Sequence, residues 1–435
     1  MKPIQLILAA AVIATLATAS AQAQINNNPP GAPGARRGGG GSVDAGPGRT
    51  VLSPEVNTNN SVTFRLQAPN AKFVRVVTDI PKVGDLPHGS AGFDLKKDDT
   101  GIWSYTTAPL KPSYYQYWFI MDAPPGQNTG GLVMPDPMNT FVRPASGVYK
   151  SIVAVPGKEA EFMMFRDVPH GDLIEHHYLN PDNKTARRVV IYTPPDYSTS
   201  GKSYPVLYLL HGANDYERGW TQTGMANTIM DNLIADGKAV PAIIVMPFGH
   251  DTTGSTGKLP EVRALQQSLG YAPAGRGARG AGGRGAPAGA AAPSYMEKDL
   301  LGIVMPYVEK EFRVIKDKNH RAIFGYSMGG GHSTSIGFGH PELFAYVGGF
   351  SGYNGPQTPT TARLLEDPAK ANKDYKMIFI GSGTEDTAVN GGRTLHEAFV
   401  AKGINHTWSE DPGYGHDYQI WRQYLYRLLQ QTFRD

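Results

Sequence analysis

Ala322-Ile323-Phe324-Gly325-Tyr326-Ser327-Met328-Gly329-Gly330-Gly331 is an apolar, strand-like run that ends in a serine flanked by glycines and continues into small residues. Glycines on either side of a serine remove the Cβ atoms that would clash on a sharp strand-to-helix turn, and such a turn leaves the hydroxyl projecting. The stretch therefore predicts a strand, a strained turn and a helix, with Ser327 exposed at the turn.

A serine hydroxyl is a poor nucleophile near neutral pH. It needs an imidazole to take its proton and a carboxylate to orient that imidazole. Downstream, Met377-Ile378-Phe379-Ile380-Gly381-Ser382-Gly383-Thr384-Glu385-Asp386 reads as a buried strand ending in a turn with two acids, and either acid could serve. Pro412-Gly413-Tyr414-Gly415-His416-Asp417 then places a histidine in a glycine-rich loop, just before a helical segment carrying Trp421, Leu425 and Leu428 on one face. His416 is the expected base. His332, His340, His396 and His406 fall on helical or strand-like stretches and read as packing or surface residues.

Acyl transfer also needs donors aimed at the oxygen that becomes negative, and backbone amides supply them without reorganisation. The amide of Met328, at the start of a helix, is one expected donor. Pro205-Val206-Leu207-Tyr208-Leu209-Leu210 is apolar on both faces, as a central parallel strand should be, and leads into His211-Gly212-Ala213. The Ala213 amide is the expected second donor, and His211 is expected to hold the loop by hydrogen bonds.

From Tyr204 to Leu429 the chain resembles the feruloyl esterases of carbohydrate esterase family one, a group that includes acetyl xylan esterases and is related to esterase D and the enterochelin esterases. The similarity is carried by Tyr208 to Gly212, Trp220, Asp231 to Ala235, Asp299 to Leu301, Pro306 to Glu309, Arg321 to Ile323, Ser327 to Gly331, Phe344 to Ser351, Gly383 to Asp386 and Gly415 to Asp417. The resemblance implies an α/β-hydrolase with a mostly parallel sheet. It implies a triad of Ser327, Asp386 and His416, with Glu385 an exposed neighbour of the acid. Trp220, in a matched stretch, is the expected substrate-binding residue. No metal and no organic cofactor is expected.

The α/β part is expected to span about Ala160 to Asp435. Strands are expected at Arg188–Tyr192, Val206–Leu210, Ala242–Met246, Ala322–Gly325, Tyr346–Phe350 and Met377–Gly381, with helices around Ala226–Ala235, Leu300–Phe312 and Arg393–Lys402. Ahead of it, Val51 to about Val155 shows short alternating strands between Pro, Gly and Asp turns, the pattern of an immunoglobulin-type β-sandwich. That segment resembles the early-set modules, relatives of carbohydrate-binding modules, that precede some esterases and branching enzymes. Trp103, Tyr115, Tyr117 and Trp118 either stack on sugar rings or fill the core, and alternation allows only one of Tyr117 and Trp118 to point inward.

Met1 to Ala23 reads as a signal peptide: Lys2 supplies the positive start, Ile4 to Leu16 the apolar stretch and Ala21-Gln22-Ala23 the cleavage site. The mature protein is expected in the periplasm or the medium, with no membrane attachment. Gln24 to Thr50 reads as a flexible linker, and Gly270 to Ser294 as a solvated arginine-glycine and alanine-proline insert. The chain has no cysteine, which excludes a disulfide framework, thiolate metal sites and a cysteine nucleophile. Its formal charge of +3 arises in the signal and low-complexity stretches; the remainder holds 34 basic and 37 acidic residues and offers no basic face for nucleic acid. A polysaccharide-linked or small ester is the expected substrate, feruloyl or acetyl first. A siderophore trilactone is the alternative ester, and a non-catalytic glycan-binding protein is the alternative of another class.

Overall fold

The computed structural model describes residues 51–80, 91–145, 148–181, 185–213, 215–250 and 294–434. The signal segment, the 24–50 linker and all of the 270–294 insert except Ser294 lie outside the described residues. Among the described residues, no helix is long and apolar enough to cross a membrane.

The N-terminal part forms two antiparallel sheets. One runs β1 (Glu55–Val56), β2 (Val62–Gln67), β6 (Ile102–Thr106), β5 (Lys96–Lys97). The other runs β4 (Ala91–Asp94), β3 (Val74–Thr78), β7 (Ser113–Met121), β10 (Val148–Val155), β9 (Val142–Ala145), with β8 (Leu132–Met134) also pairing β7. Strand side chains alternate between faces, so Tyr115, Tyr117 and Phe119 of β7 meet Val62, Phe64, Leu66 and Trp103 across the space between the sheets. Trp103, Tyr115 and Tyr117 are thus core residues, no more than 7% exposed, and offer no ring face to a sugar. Trp118, one residue on, points the other way and is half-buried.

The second part is built on one eight-stranded sheet in the order β11 (Asp172–Leu179), β12 (Ala186–Thr193), β14 (Ile243–Pro247), β13 (Val206–Leu210), β15 (Arg321–Tyr326), β16 (Tyr346–Phe350), β17 (Met377–Gly383), β18 (Thr407–Asp411). Pairing is antiparallel from β11 to β14 and parallel from there to β18. The central strands are buried on both faces, which is why they read as unbroken apolar runs. Helices cover both sides: Ala226–Ala235 and Tyr418–Leu429 pack on one, Met328–Gly339 and Val389–Lys402 on the other.

The segment expected as one helix from Leu300 to Phe312 differs. A helix starts earlier, at Tyr295, capped by the Ser294 hydroxyl accepting from the Glu297 amide at 3.1 Å. It widens into a π-helical turn over Leu300–Val304 and resumes as α-helix over Met305–Glu311. Pro306 donates no N–H and its ring crowds the carbonyl four residues earlier, and the wider turn accommodates both effects.

The two parts share a core. The face of the six-stranded sheet turned away from its partner sheet contributes Tyr114 and Ile152 to the same apolar cluster as Leu207, Leu209, Trp220, Tyr418 and Trp421. Buried polar contacts reinforce it. Gln419 Nε2 and Arg422 Nη1 donate to the Tyr114 carbonyl at 2.8 and 3.1 Å, and Ser113 Oγ bonds Gln419 Oε1. Arg143, 2% exposed, pairs with Asp215 at 3.2 Å and donates to the Thr223 hydroxyl. Removing one partner of a buried pair strands the other's charge, at a cost of about 3–5 kcal/mol. Arg143→Met is therefore expected to lower the urea midpoint by an amount equivalent to ~3–5 kcal/mol, without changing strand content by circular dichroism. A midpoint equal to wild type means the pair does not join the two parts.

Candidate active site

β15 ends at Tyr326, and Ser327 follows with φ 53° and ψ −120°, immediately before the helix Met328–Gly339. Positive φ is costly for a residue with a side chain, and the surroundings must hold it there. The Ser327 amide donates to the Phe350 carbonyl at 2.8 Å, and its carbonyl accepts from the Gly331 amide at 3.0 Å. A Cβ on Gly325 would stand 2.4 Å from the Gly329 carbonyl oxygen, and one on Gly329 would stand 2.5 Å from that of Leu210. The flanking glycines are thus demanded by close backbone approach.

The turn aims Ser327 at the loop before helix Tyr418–Leu429. Ser327 Oγ lies 2.9 Å from His416 Nε2, and His416 Nδ1 lies 3.0 and 3.1 Å from the two oxygens of Asp386. Asp386 is 3% exposed while Glu385 beside it is exposed, so the structure brings together Ser327, His416 and Asp386 and leaves Glu385 outside the relay. Burial alone would raise the Asp386 carboxyl. Hydrogen bonds from His416, Ser351 and the Ala388 amide, with the His416 charge, outweigh it and hold the group below the usual carboxylate range. Trp421 supports the relay: its Nε1 donates to Ser351 Oγ at 2.8 Å, and its ring meets that of His416 edge-on at 5.1 Å.

The other histidines lie elsewhere. His340 pairs with Glu297 and Glu342, and His396 faces His406. His211 is buried and locked in place: Nε2 accepts from the Gly249 amide at 2.8 Å and Nδ1 donates to the Gly212 carbonyl at 2.8 Å. This tautomer ties the loops after β13 and β14 together. Burial, assisted by the charge of His250, pushes the ring down to about 3, so it stays neutral.

Ser327, His416, Gly212 and Ala213 open into a cavity of about 230 Å³. Ala213 leaves β13 on the same side as Ser327, and Met328 takes the first turn of its helix, where amides have no intrahelical acceptor. Trp220 is not part of this cavity wall. Expected to touch substrate, it is fully buried, donates from Nε1 to the Leu210 carbonyl at 3.0 Å, and packs edge-on against Tyr326, Phe350 and Tyr418. The short helix Gly219–Gln222 turns its indole inward, and the aromatic residue is core.

The sequence reading missed one wall altogether. Asp79, Gln116, Arg143 and Lys150, all from the outer face of the N-terminal six-stranded sheet or the loop after β3, line the cavity beside Asp215, Asp417 and Tyr418. Asp79 accepts from the Gln116 amide and side chain at 2.7 and 2.9 Å. No local motif marks these residues, because their position follows from packing between distant segments.

A turn-held serine within reach of an oriented imidazole is the arrangement of a serine hydrolase on an α/β scaffold. Comparison with known proteins fixes the family. Residues 182–432 match the esterase family described as "Putative esterase", and the chain belongs to that family. It is 30% identical over 387 residues to an endo-1,4-beta-xylanase/feruloyl esterase of Xylanibacter ruminicola, covering 88% of this chain and 46% of that protein. It is 26% identical over 285 residues to an esterase of Mycobacterium tuberculosis, covering 55% of this chain and 54% of that one. The chain thus spans about half the length of these curated relatives. Among solved structures, the enterobactin esterase of Shigella flexneri shares the fold across 86% of this chain and 93% of its own, with a TM-score of 0.57 and 19% identity.

If the three side chains act as a unit, Ser327→Ala and His416→Ala each lower kcat on an activated ester by on the order of 10³-fold or more, and the double variant scarcely further. Asp386→Asn is expected to be severe and Glu385→Gln mild. The reverse order of the two acids in the same assay reassigns the orienting carboxylate.

Proposed function

We propose that this chain is an exported serine esterase that removes feruloyl or acetyl groups from plant cell-wall polysaccharide through an acyl-enzyme. The relay from Asp386 through His416 to Ser327, open to a cavity, is the observation that carries the chemistry. The similarity to a xylanase/feruloyl esterase over 88% of the chain supports the substrate class.

In this mechanism His416 Nε2 takes the Ser327 proton as Oγ attacks the ester carbonyl. The Ala213 and Met328 amides receive the oxyanion at no reorganisation cost. His416 then returns the proton to the departing hydroxyl oxygen, and Asp386, itself remaining ionised, stabilises the transient imidazolium. Water enters, His416 takes its proton, and the acyl group leaves as a carboxylic acid with Ser327 restored. The strain at Ser327 keeps Oγ projecting in both halves of the cycle.

The N-terminal sheets fit an immunoglobulin-type early-set module. With three of its four candidate aromatic residues in the core, its support for catalysis comes from the cavity wall rather than from a sugar-stacking platform. Export rests on the Met1 to Ala23 signal-like segment. A siderophore trilactone is the second reading, because the enterobactin esterase of Shigella flexneri shares the fold over 86% of the chain.

Comparison of kcat/KM for methyl ferulate, acetylated xylan, nitrophenyl acetate and enterobactin separates these readings. Methyl ferulate or acetylated xylan is expected to exceed enterobactin by at least tenfold. Enterobactin as the best substrate overturns the polysaccharide assignment. A fluorophosphonate probe is expected to label Ser327, and absence of labelling in active-site titration removes the serine mechanism.

A further inference from the structure

Most charged groups in the cavity wall are spoken for. Arg143 and Asp215 pair at 3.2 Å, and Asp79 takes two hydrogen bonds from Gln116 at 2.7 and 2.9 Å. Asp417 caps the helix Tyr418–Leu429 by accepting from the Gln419 amide at 2.9 Å. Lys150 is the exception. It is half-buried in the wall, and among the described residues no carboxylate lies within ion-pair distance of it. Its one defined contact is the Trp118 ring, whose centroid lies 4.6 Å from Nζ.

Holding an ammonium out of water without a counter-charge is costly, and a neutral side chain of the same length would pack more cheaply. An indole face offsets part of this cost by cation–π attraction, and does so without using the ammonium's hydrogen-bond donors. Those donors stay available to the cavity that Ser327 and His416 share.

We infer that Lys150 is a specificity-determining residue of this site, its ammonium binding a carboxylate on the ester that is being cleaved. The inference rests on the esterase reading of the cavity given above. A single ammonium beside one already-paired arginine suits a monoanion, since a dianionic phosphate would call for a second unpaired cation. The carboxylate can belong to either part of the ester: a uronate in the alcohol part, or the free end of a dicarboxylic acid in the acyl part.

The charge on Lys150 gives the preference a pH signature. Burial is the main cause that pushes its ammonium down, to about 8; the positive charge of Arg143 adds to this, and Asp79 and Asp215 pull the other way. Below that pH the ammonium is charged and the carboxylate is bound; as pH rises through about 8 the attraction is lost.

Two substrate pairs test this on the full chain. Acetylated galacturonate against acetylated galactose places the carboxylate on the alcohol side. Nitrophenyl hemisuccinate against nitrophenyl butyrate places it on the acyl side. For one pair, wild type is expected to favour the charged member by about tenfold in kcat/KM, mostly through KM, as fits a charge-assisted contact. The preference should vanish in Lys150→Met, persist in Lys150→Arg, weaken with salt and decline as pH rises through about 8. Lys150→Gln, checked for wild-type thermal unfolding, replaces Lys150→Met if the latter does not fold. Charged-to-neutral ratios equal in wild type and the neutral variant for both pairs overturn the inference. If wild type hydrolyses the neutral esters and shows no preference, only the Lys150 inference falls; if it hydrolyses none of the four, the esterase reading falls with it.

Discussion

A single buried carboxylate holds the site together. Asp215, in the loop after β13, accepts from Tyr326 Oη at 2.6 Å and from Tyr418 Oη at 2.7 Å, and pairs with Arg143 at 3.2 Å. Those partners come from the residue before Ser327, the second residue after His416, and a strand of the N-terminal sheet. Its own amide donates to the Gly212 carbonyl at 3.1 Å, which ties in the loop that carries Ala213. Burial raises the Asp215 carboxyl, but Arg143 and the two phenols outweigh this and keep it ionised. Even the approach of the next helix is set by it, because a Cβ on Gly219 would stand 2.3 Å from Asp215 Oδ1.

An ionised carboxylate out of water costs several kcal/mol unless its lone pairs are met, so the arrangement tolerates little displacement of any partner. That intolerance is useful. The strand that leads to Ser327, the loop that carries His416 and the loop that carries Ala213 are far apart in sequence, and the proposed acyl-transfer site needs them fixed to within a fraction of an ångström. The chain from Trp421 through Ser351 to Asp386 works in the same way on the other side of the relay, fixing the carboxylate that orients His416. Backbone strain at Ser327, of order 1–3 kcal/mol, persists because both networks over-determine the position.

What could be read from the sequence was what is encoded locally. The glycine-flanked serine, the strand that ends in acids and the glycine-rich loop before an amphipathic helix each carry their own signature, and β13, β15, β16 and β17 announced themselves as unbroken apolar runs. Asp386 and Glu385 are adjacent, and composition could not separate them; burial does. Trp220 was misread because an aromatic residue in a matched stretch looks the same whether it faces a substrate or the Leu210 carbonyl. Arg143 and Asp215 lie 72 residues apart, in segments with no motif, and nothing local links them. One signal was available: Tyr114 to Ile120 is largely apolar on both faces, and a strand of that kind belongs to a sheet covered on both sides. That pattern argues against a free-standing module and for the shared core that the fold contains.

In the proposed esterase, chemistry and selectivity are consequently drawn from different parts of the chain. The groups placed to exchange protons all lie on the parallel sheet's carboxyl-end loops, where a doubly covered α/β sheet presents its functional groups. The wall opposite them is lent by the N-terminal sheet, through side chains such as Gln116 and Lys150 that touch none of the relay's hydrogen bonds. Substitutions on that wall can alter which ester fits while leaving the Ser327 turn and its imidazole in place, because the rigid Asp215 node stands between the two. The same node sets the limit of this freedom: any change that disturbs Arg143 reaches Tyr326 and Tyr418 through one shared carboxylate, so the wall can vary at its surface but not at its anchor.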